Sequence, residues 1–224
     1  MSVKHRPDGR SSGGTLRALS CELSCLQKAD GSSLWKAGAT HVLCAVYGPI
    51  APINSHQEDP NEALVSVVFQ EGREWENFLE TILAGCIDRS QYPRTVIEIV
   101  LQVIQSDGSV LGCALHAGVA ALLDSGVALK HLPVATTCLV GTELILDPNA
   151  EEEDIKDYSS LVIVNTNVEP DKIVGCETIG CHASLENLLK CQEAASRASP
   201  AVVAFWRLAI EQKVTRQAQT LWST

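Results

Sequence analysis

The chain has 224 residues, 46% hydrophobic and 20% charged, with a formal net charge of -10. Length and apolar content exclude a largely disordered chain and suffice for a substantial core, while the acidity argues against a protein that coats nucleic acid unaided. The longest charge-free runs exclude a membrane span: Ala37 to Gln57 is broken by Gly38, Gly48, Pro49 and Pro52, and Gly108 to Leu123 falls short of the roughly 20 residues required.

Residues up to about Gly14 are basic and polar without an apolar core, so they read as an arm and not as a secretory signal. Thr15 to Gln27 alternates as a strand, Ala29-Asp30-Gly31-Ser32 turns the chain, and Ser33 to Lys36 and Thr40 to Tyr47 continue a meander that Gly48-Pro49 ends. Ile50 to Glu62 is a polar loop, followed by a short strand, Leu64 to Phe69. From Trp75, apolar residues at Phe78, Leu79, Ile82, Leu83, Cys86 and Ile87 follow the spacing of one helix face, with Arg73, Glu76, Glu80 and Asp88 on the other. Tyr92-Pro93 stops that helix.

Thr95 to Val127 organises the rest. A β-branched run to Ile104 meets the turn Ser106-Asp107-Gly108-Ser109, and a helix almost free of charge then closes at Asp124-Ser125-Gly126. Ser109 or Asp107 can cap its start and Gly126 its end. Its small residues, Gly112, Ala114, Ala117 and Gly118 among them, allow close approach on nearly every side, so the helix is expected to be buried, with His116 a hydrogen-bonded core histidine. Free N-H groups at its start could receive phosphate, although most such junctions bind nothing.

Leu132 to Val140 and Glu143 to Leu146 read as strands, Pro148 to Asp157 as an acidic turn, and Ser159 to Asn165 with Lys172 to Ile179 as a hairpin. Ser184 caps a last helix that Pro200 kinks or divides before Val202 to Val214, giving a helical region over about 184-222. The sum is an α+β fold of two sheets with helices between or against them. Since no linker divides it, residues 1-224 are expected to form one domain, in which two similar halves could meet at the central helix.

Charge is uneven. Lys4, Arg6, Arg10 and Arg17 face only Asp8 among the first 20 residues, whereas Glu143 to Asp157 holds seven carboxylates against Lys156. Nine cysteines in apolar contexts read as reduced core residues, which places the chain in the cytosol or nucleus. Cys176, Cys181 and His182 lack the second ligand pair of a zinc site. Cys21 and Cys25 read as packing residues, and no spacing suggests a Ser-His-Asp triad.

Arg6-Pro7-Asp8-Gly9-Arg10, Ala29-Asp30-Gly31-Ser32 and Gly38 to Pro49 resemble the successive N-terminal signatures of the ribonuclease PH family. Tyr92-Pro93-Arg94-Thr95, Gln105-Ser106-Asp107-Gly108, Ala121 to Val127, and Leu146-Asp147 followed by Glu152-Glu153-Asp154 continue the resemblance, from about Lys4 to Lys213. Within the family the chain looks most like a eukaryotic exosome ring subunit. The resemblance implies two mixed sheets with a buried central helix and packed flanking helices. It also implies assembly with other ring subunits of the family into a six-membered ring, contact with single-stranded RNA, a role in ribosomal RNA processing and RNA degradation, and residence in nucleus, nucleolus and cytoplasm. In active members, phosphate attacks the last phosphodiester bond of RNA from the 3′ end.

The chain departs from the active pattern at two places. Leu111 stands where an active member has the arginine that grips phosphate, and Ser160 where it has the second of two aspartates, Asp154 holding the place of the first. Losing one positioned donor costs about 10² to 10³ in rate, so a structural, RNA-contacting subunit with little or no catalysis is expected, and a scaffold requires no cofactor. Arg6, Arg10, Arg73 and Arg94 are the candidate RNA or phosphate contacts, since each lies in a matched motif and guanidinium suits phosphate; the N-H groups of Val110, Leu111 and Gly112 join them. The alternative is an active nuclease on RNA or DNA, working as a homodimer through exposed sheet edges. Its catalytic carboxylates would be Asp154 and Asp157, holding magnesium or manganese; a solvated acidic loop is the competing account of the same residues.

Overall fold

The computed structural model describes residues 6-52, 59-141, 143-155, 158-180 and 184-222. β1 (Leu19–Leu23), β2 (Gly31–Ala37), β3 (Thr40–Ile50), β4 (Leu64–Phe69) and β5 (Val96–Gln105) form one sheet in the order β1-β2-β3-β5-β4. It is mixed, because α1 (Arg73–Cys86) carries the chain across to lay β5 parallel to β4 while every other pair is antiparallel. α2 (Val110–Ser125) follows. β6 (Pro133–Val140), β7 (Leu144–Leu146), β8 (Ser159–Thr166) and β9 (Ile173–Ile179) make the second sheet, ordered β7-β6-β8-β9 and antiparallel throughout, since short connections join its neighbours. The expectation of two mixed sheets therefore holds for the first alone.

α2 lies between the sheets, touching β2, β3 and β6, and every residue from Leu111 to Leu122 is buried. An approach this close requires a missing side chain: a Cβ on Gly31 of β2 would stand 2.3 Å from the Ala121 carbonyl oxygen. His116 is a core histidine, as expected. Its Nε2 accepts the Ala135 N-H at 3.2 Å, and its ring packs between Trp35 and Trp206.

Three sequence expectations are corrected. The first strand is only Leu19–Leu23, because the Arg17 N-H is drawn to Asp147 and Ser24 turns left-handed to donate its N-H and hydroxyl to Asp124. The acidic segment contains a short helix, α3 (Ala150–Glu153), closed by a capping box in which Asn149 and Glu152 exchange side-chain and backbone bonds. The last helix, α4 (Leu185–Trp222), runs through Pro200, so of the kink or division expected there the division does not occur. Its buried Val202 and Trp206 lie just past the proline, with Trp206 against Trp35 at a ring separation of 6.0 Å, so tertiary packing offsets the missing hydrogen bond. Among the described residues no helix is long and apolar enough to cross a membrane.

Candidate functional site

The turn between β5 and α2 is fastened from three directions. Thr40 Oγ1 accepts the Asp107 N-H and donates to the Gly108 carbonyl. Arg17 donates to the Asp107 and Gly108 carbonyls and to Asp147 Oδ1 at 2.7 Å. Asp107 Oδ1 accepts the Ala150 N-H, which ties the turn to α3. Gly108 sits at φ +74 with Pro148 and Asn149 backbone atoms within 2.7 Å of where a Cβ would lie, so only glycine fits there. Burial disfavours the Asp147 carboxylate, but the Arg17 hydrogen bonds and charge outweigh it and hold its pKa below the ordinary value, while that of Arg17 is raised.

Neither candidate N-cap acts as one. Ser109 is left-handed, and its hydroxyl donates to the Pro148 carbonyl instead of accepting from the helix. The Ser109 N-H is taken by Glu153 Oε1 at 2.8 Å. Glu153 reads in the sequence as one acid among several, yet α3 places its carboxylate on the Ser109 N-H at the start of α2. Loss of hydration raises the Glu153 pKa.

Val110 and Leu111 line a cleft of about 290 Å³ with Ser109, Trp75, Thr137, Glu153, Asp154, Ile155, Tyr158, Ser160, Val162, Ile179 and Gly180. No lysine, arginine or histidine is among these residues. Leu111 is 2% exposed and packs into the core, so its side chain makes a buried apolar contact. Gly112 turns inward, with Thr137 Oγ1 3.0 Å from the position a Cβ would take. Asp157 lies outside the described residues. Among those that are described, no three His, Cys, Asp or Glu side chains converge as metal ligands.

The four candidate arginines do not meet at this cleft. Arg6, 8% exposed, spends all five N-H groups on Glu152 Oε1 and Oε2, both at 2.7 Å, and on the Thr15, Leu146 and Asp147 carbonyls. Arg10 donates to Asp8 and to the Thr15 carbonyl, with Glu152 3.7 Å away. This pair braces the back of α3, and Arg6 keeps no donor for an RNA phosphate. Burial opposes ionisation of Glu152, but Arg6 and the Asn149 N-H hold its pKa below the usual value; burial and the Arg6 charge lower that of Arg10. Arg73 is exposed at the first position of α1, two residues before Trp75 at the cleft. Arg94 is also exposed, but it precedes β5 whereas the cleft follows it, so a ten-residue strand of about 33 Å separates the two. Among the described residues neither side chain has an ion pair.

The models of the 3′ exoribonuclease family match residues 15–128 for domain 1 and 131–198 for domain 2. An exosome complex exonuclease RRP46 homolog of rice, Oryza sativa, is 35% identical, with 93% of this chain and 96% of that protein aligned. Its Arabidopsis thaliana counterpart is 31% identical over 94% and 98%. The crystal structure of rice Rrp46 superposes with a TM-score of 0.84, covering 92% of this chain and all of that one.

Proposed function

The chain belongs to the ribonuclease PH family of 3′ exoribonucleases, and from that premise we propose that it is a structural, RNA-contacting subunit of an exosome ring that performs little or no phosphorolysis itself. One observation carries the proposal: the start of α2 is occupied by the Glu153 carboxylate and bordered by Asp154, with buried Leu111 in the cationic position. Among the described residues that line the cleft, an attacking phosphate would meet two carboxylates and no lysine, arginine or histidine. Repulsion at the very point where a phosphorolytic site must bind an anion is worth more than the absence of one donor.

Two features support assembly. The edge strand β4 exposes Leu64 and Val68, and the edge strand β9 exposes Ile173, Val174 and Ile179. Uncovered apolar edges are liabilities in a monomer and interfaces in a ring. Neighbouring family subunits would cover them, in the nucleus, nucleolus and cytoplasm, while RNA contact falls to Arg73 and Arg94. The test is degradation of 3′-labelled and 5′-labelled RNA by the purified chain, with and without phosphate, magnesium and chelator, together with co-purification of tagged chain with ring subunits. Recovery in a ring without phosphate-dependent release of nucleoside diphosphates is expected. Robust release by the isolated chain would overturn the non-catalytic assignment, and loss of release in Asp154→Ala would place that activity in the cleft.

A further inference from the structure

We propose that Cys138 and Cys191 are a thiol pair that a peroxide oxidises to a disulfide, stapling α4 to the second sheet. Cys138 lies on β6 and Cys191 in the second turn of α4. Both are 0% exposed, and they share one small cluster with Leu161, Ile163 and Ala195 on the face of the sheet that α4 covers. Within it the Cys138 S-H donates to the Cys191 sulfur. Sulfurs in such contact can close to the bond of about 2 Å by side-chain rotation and a small shift of the helix.

The pair is asymmetric. Donation by Cys138 lowers the Cys191 pKa against the opposing effect of burial, while Cys138, whose proton is held in that bond, is raised. Burial raises each of the other described cysteines. Thiolate character therefore concentrates at Cys191, beside a thiol able to resolve it, which is the arrangement of a redox-sensing cysteine. Cys21 and Cys25 lack it, since Cys25 gives its S-H to the Glu22 carbonyl and Asp124 disfavours both thiolates.

Neither sulfur of the pair is exposed, so a peroxide enters when the first turns of α4 lift. Leu188 packs on the cluster, but Leu185 and Leu189 in the same turns are 72% and 62% exposed, which makes local opening there less costly than global unfolding. The Cys191 thiolate attacks one peroxide oxygen and becomes a sulfenic acid; the other oxygen leaves as hydroxide and takes the proton that Cys191 gave up. Cys138 then loses its proton and attacks the Cys191 sulfur, and the departing hydroxide takes that proton. Two thiols and one peroxide give one disulfide and two waters. The bond then opposes the opening that admitted the oxidant.

The pair acts in the isolated chain, whatever its part in a ring. The full chain is treated with hydrogen peroxide, digested without reductant and mapped by mass spectrometry, with dimedone to trap sulfenic acid and melting curves before and after dithiothreitol. A Cys138-Cys191 cross-linked peptide is expected, with the thermal midpoint raised by about 10 °C because the bond closes a long loop, and both should reverse with dithiothreitol. Cys138→Ser should accumulate dimedone on Cys191 without the rise, Cys191→Ser should leave Cys138 unlabelled, and Cys176→Ser should match the unsubstituted chain. Absence of the cross-link, or a main cross-link through any other cysteine, overturns the pair. A cross-link that leaves the midpoint unchanged overturns the staple, and labelling of Cys138 in Cys191→Ser as strong as that of Cys191 in Cys138→Ser overturns the roles. If a serine variant does not fold, the peptide map and melting of the unsubstituted chain decide.

Discussion

Arg6 shows how a motif residue can be committed to structure. Its five N-H groups meet five acceptors, so Arg6→Met would leave Glu152 buried with only the Asn149 N-H and the more distant Arg10 to offset its charge. A loss of about 3 kcal/mol is expected, or roughly 10 °C in thermal midpoint for a chain of this size, with no specific effect on RNA affinity. Calorimetry and a binding titration check the two halves. Gly108→Ala should also destabilise, because the added Cβ meets Pro148 and Asn149 and the left-handed conformation is strained; about 1 to 3 kcal/mol is expected by denaturant unfolding. The pH response follows from three groups. Burial pushes the His116 pKa down to about 4, so stability should begin to fall as pH drops below the ordinary histidine value near 6.5. Asp147 and Glu152 are held below their ordinary values, so their contribution is full above the free-carboxylate range and is lost only in stronger acid, below about pH 4. Thermal midpoints between about pH 7 and pH 3 should show both phases, and Asp147→Asn should flatten the lower one.

Among the elements, α2 was the most legible and α4 the least. A charge-free helix full of small residues can only be buried, whatever surrounds it. Pro200 announces a kink or a break, and α4 continues because Val202 and Trp206 are anchored on the far side, a contact that no local signal reports. Trp206→Ala should therefore cost about 3 to 5 kcal/mol, whereas Pro200→Ala should stabilise by about 1 kcal/mol, below the full propensity difference of roughly 3 because the helix already tolerates the ring. Opposite shifts in denaturant midpoint are the check; a fall for both would mean that Pro200 sets a bend which the packing requires. The capping box of α3 was readable as Asn149 followed three residues later by Glu152, a pattern hidden by treating the acidic run as one turn.

For the whole molecule, a net charge of -10 means that RNA must be met at a local basic surface. Arg73→Ala and Arg94→Ala should each lower affinity and reduce the salt slope by about one unit; an unchanged slope in a salt titration would remove that residue from the interface. The order of strand, turn and helix signals and the sequence motifs determined the α+β class, the buried central helix and the family, and the resemblance implies an arginine where Leu111 stands and an aspartate where Ser160 stands. These are local facts: a side chain's type and its spacing from its neighbours. Which charges face one another was decided only by the fold. The placement of Glu153 on the Ser109 N-H, the consumption of Arg6 by Glu152 from 146 residues away and the distance of Arg94 from the cleft all depend on segments brought together by sheet pairing. Periodicity reports which face of an element is buried, but not the polar partner waiting there, and at this cleft the partner determines the chemistry.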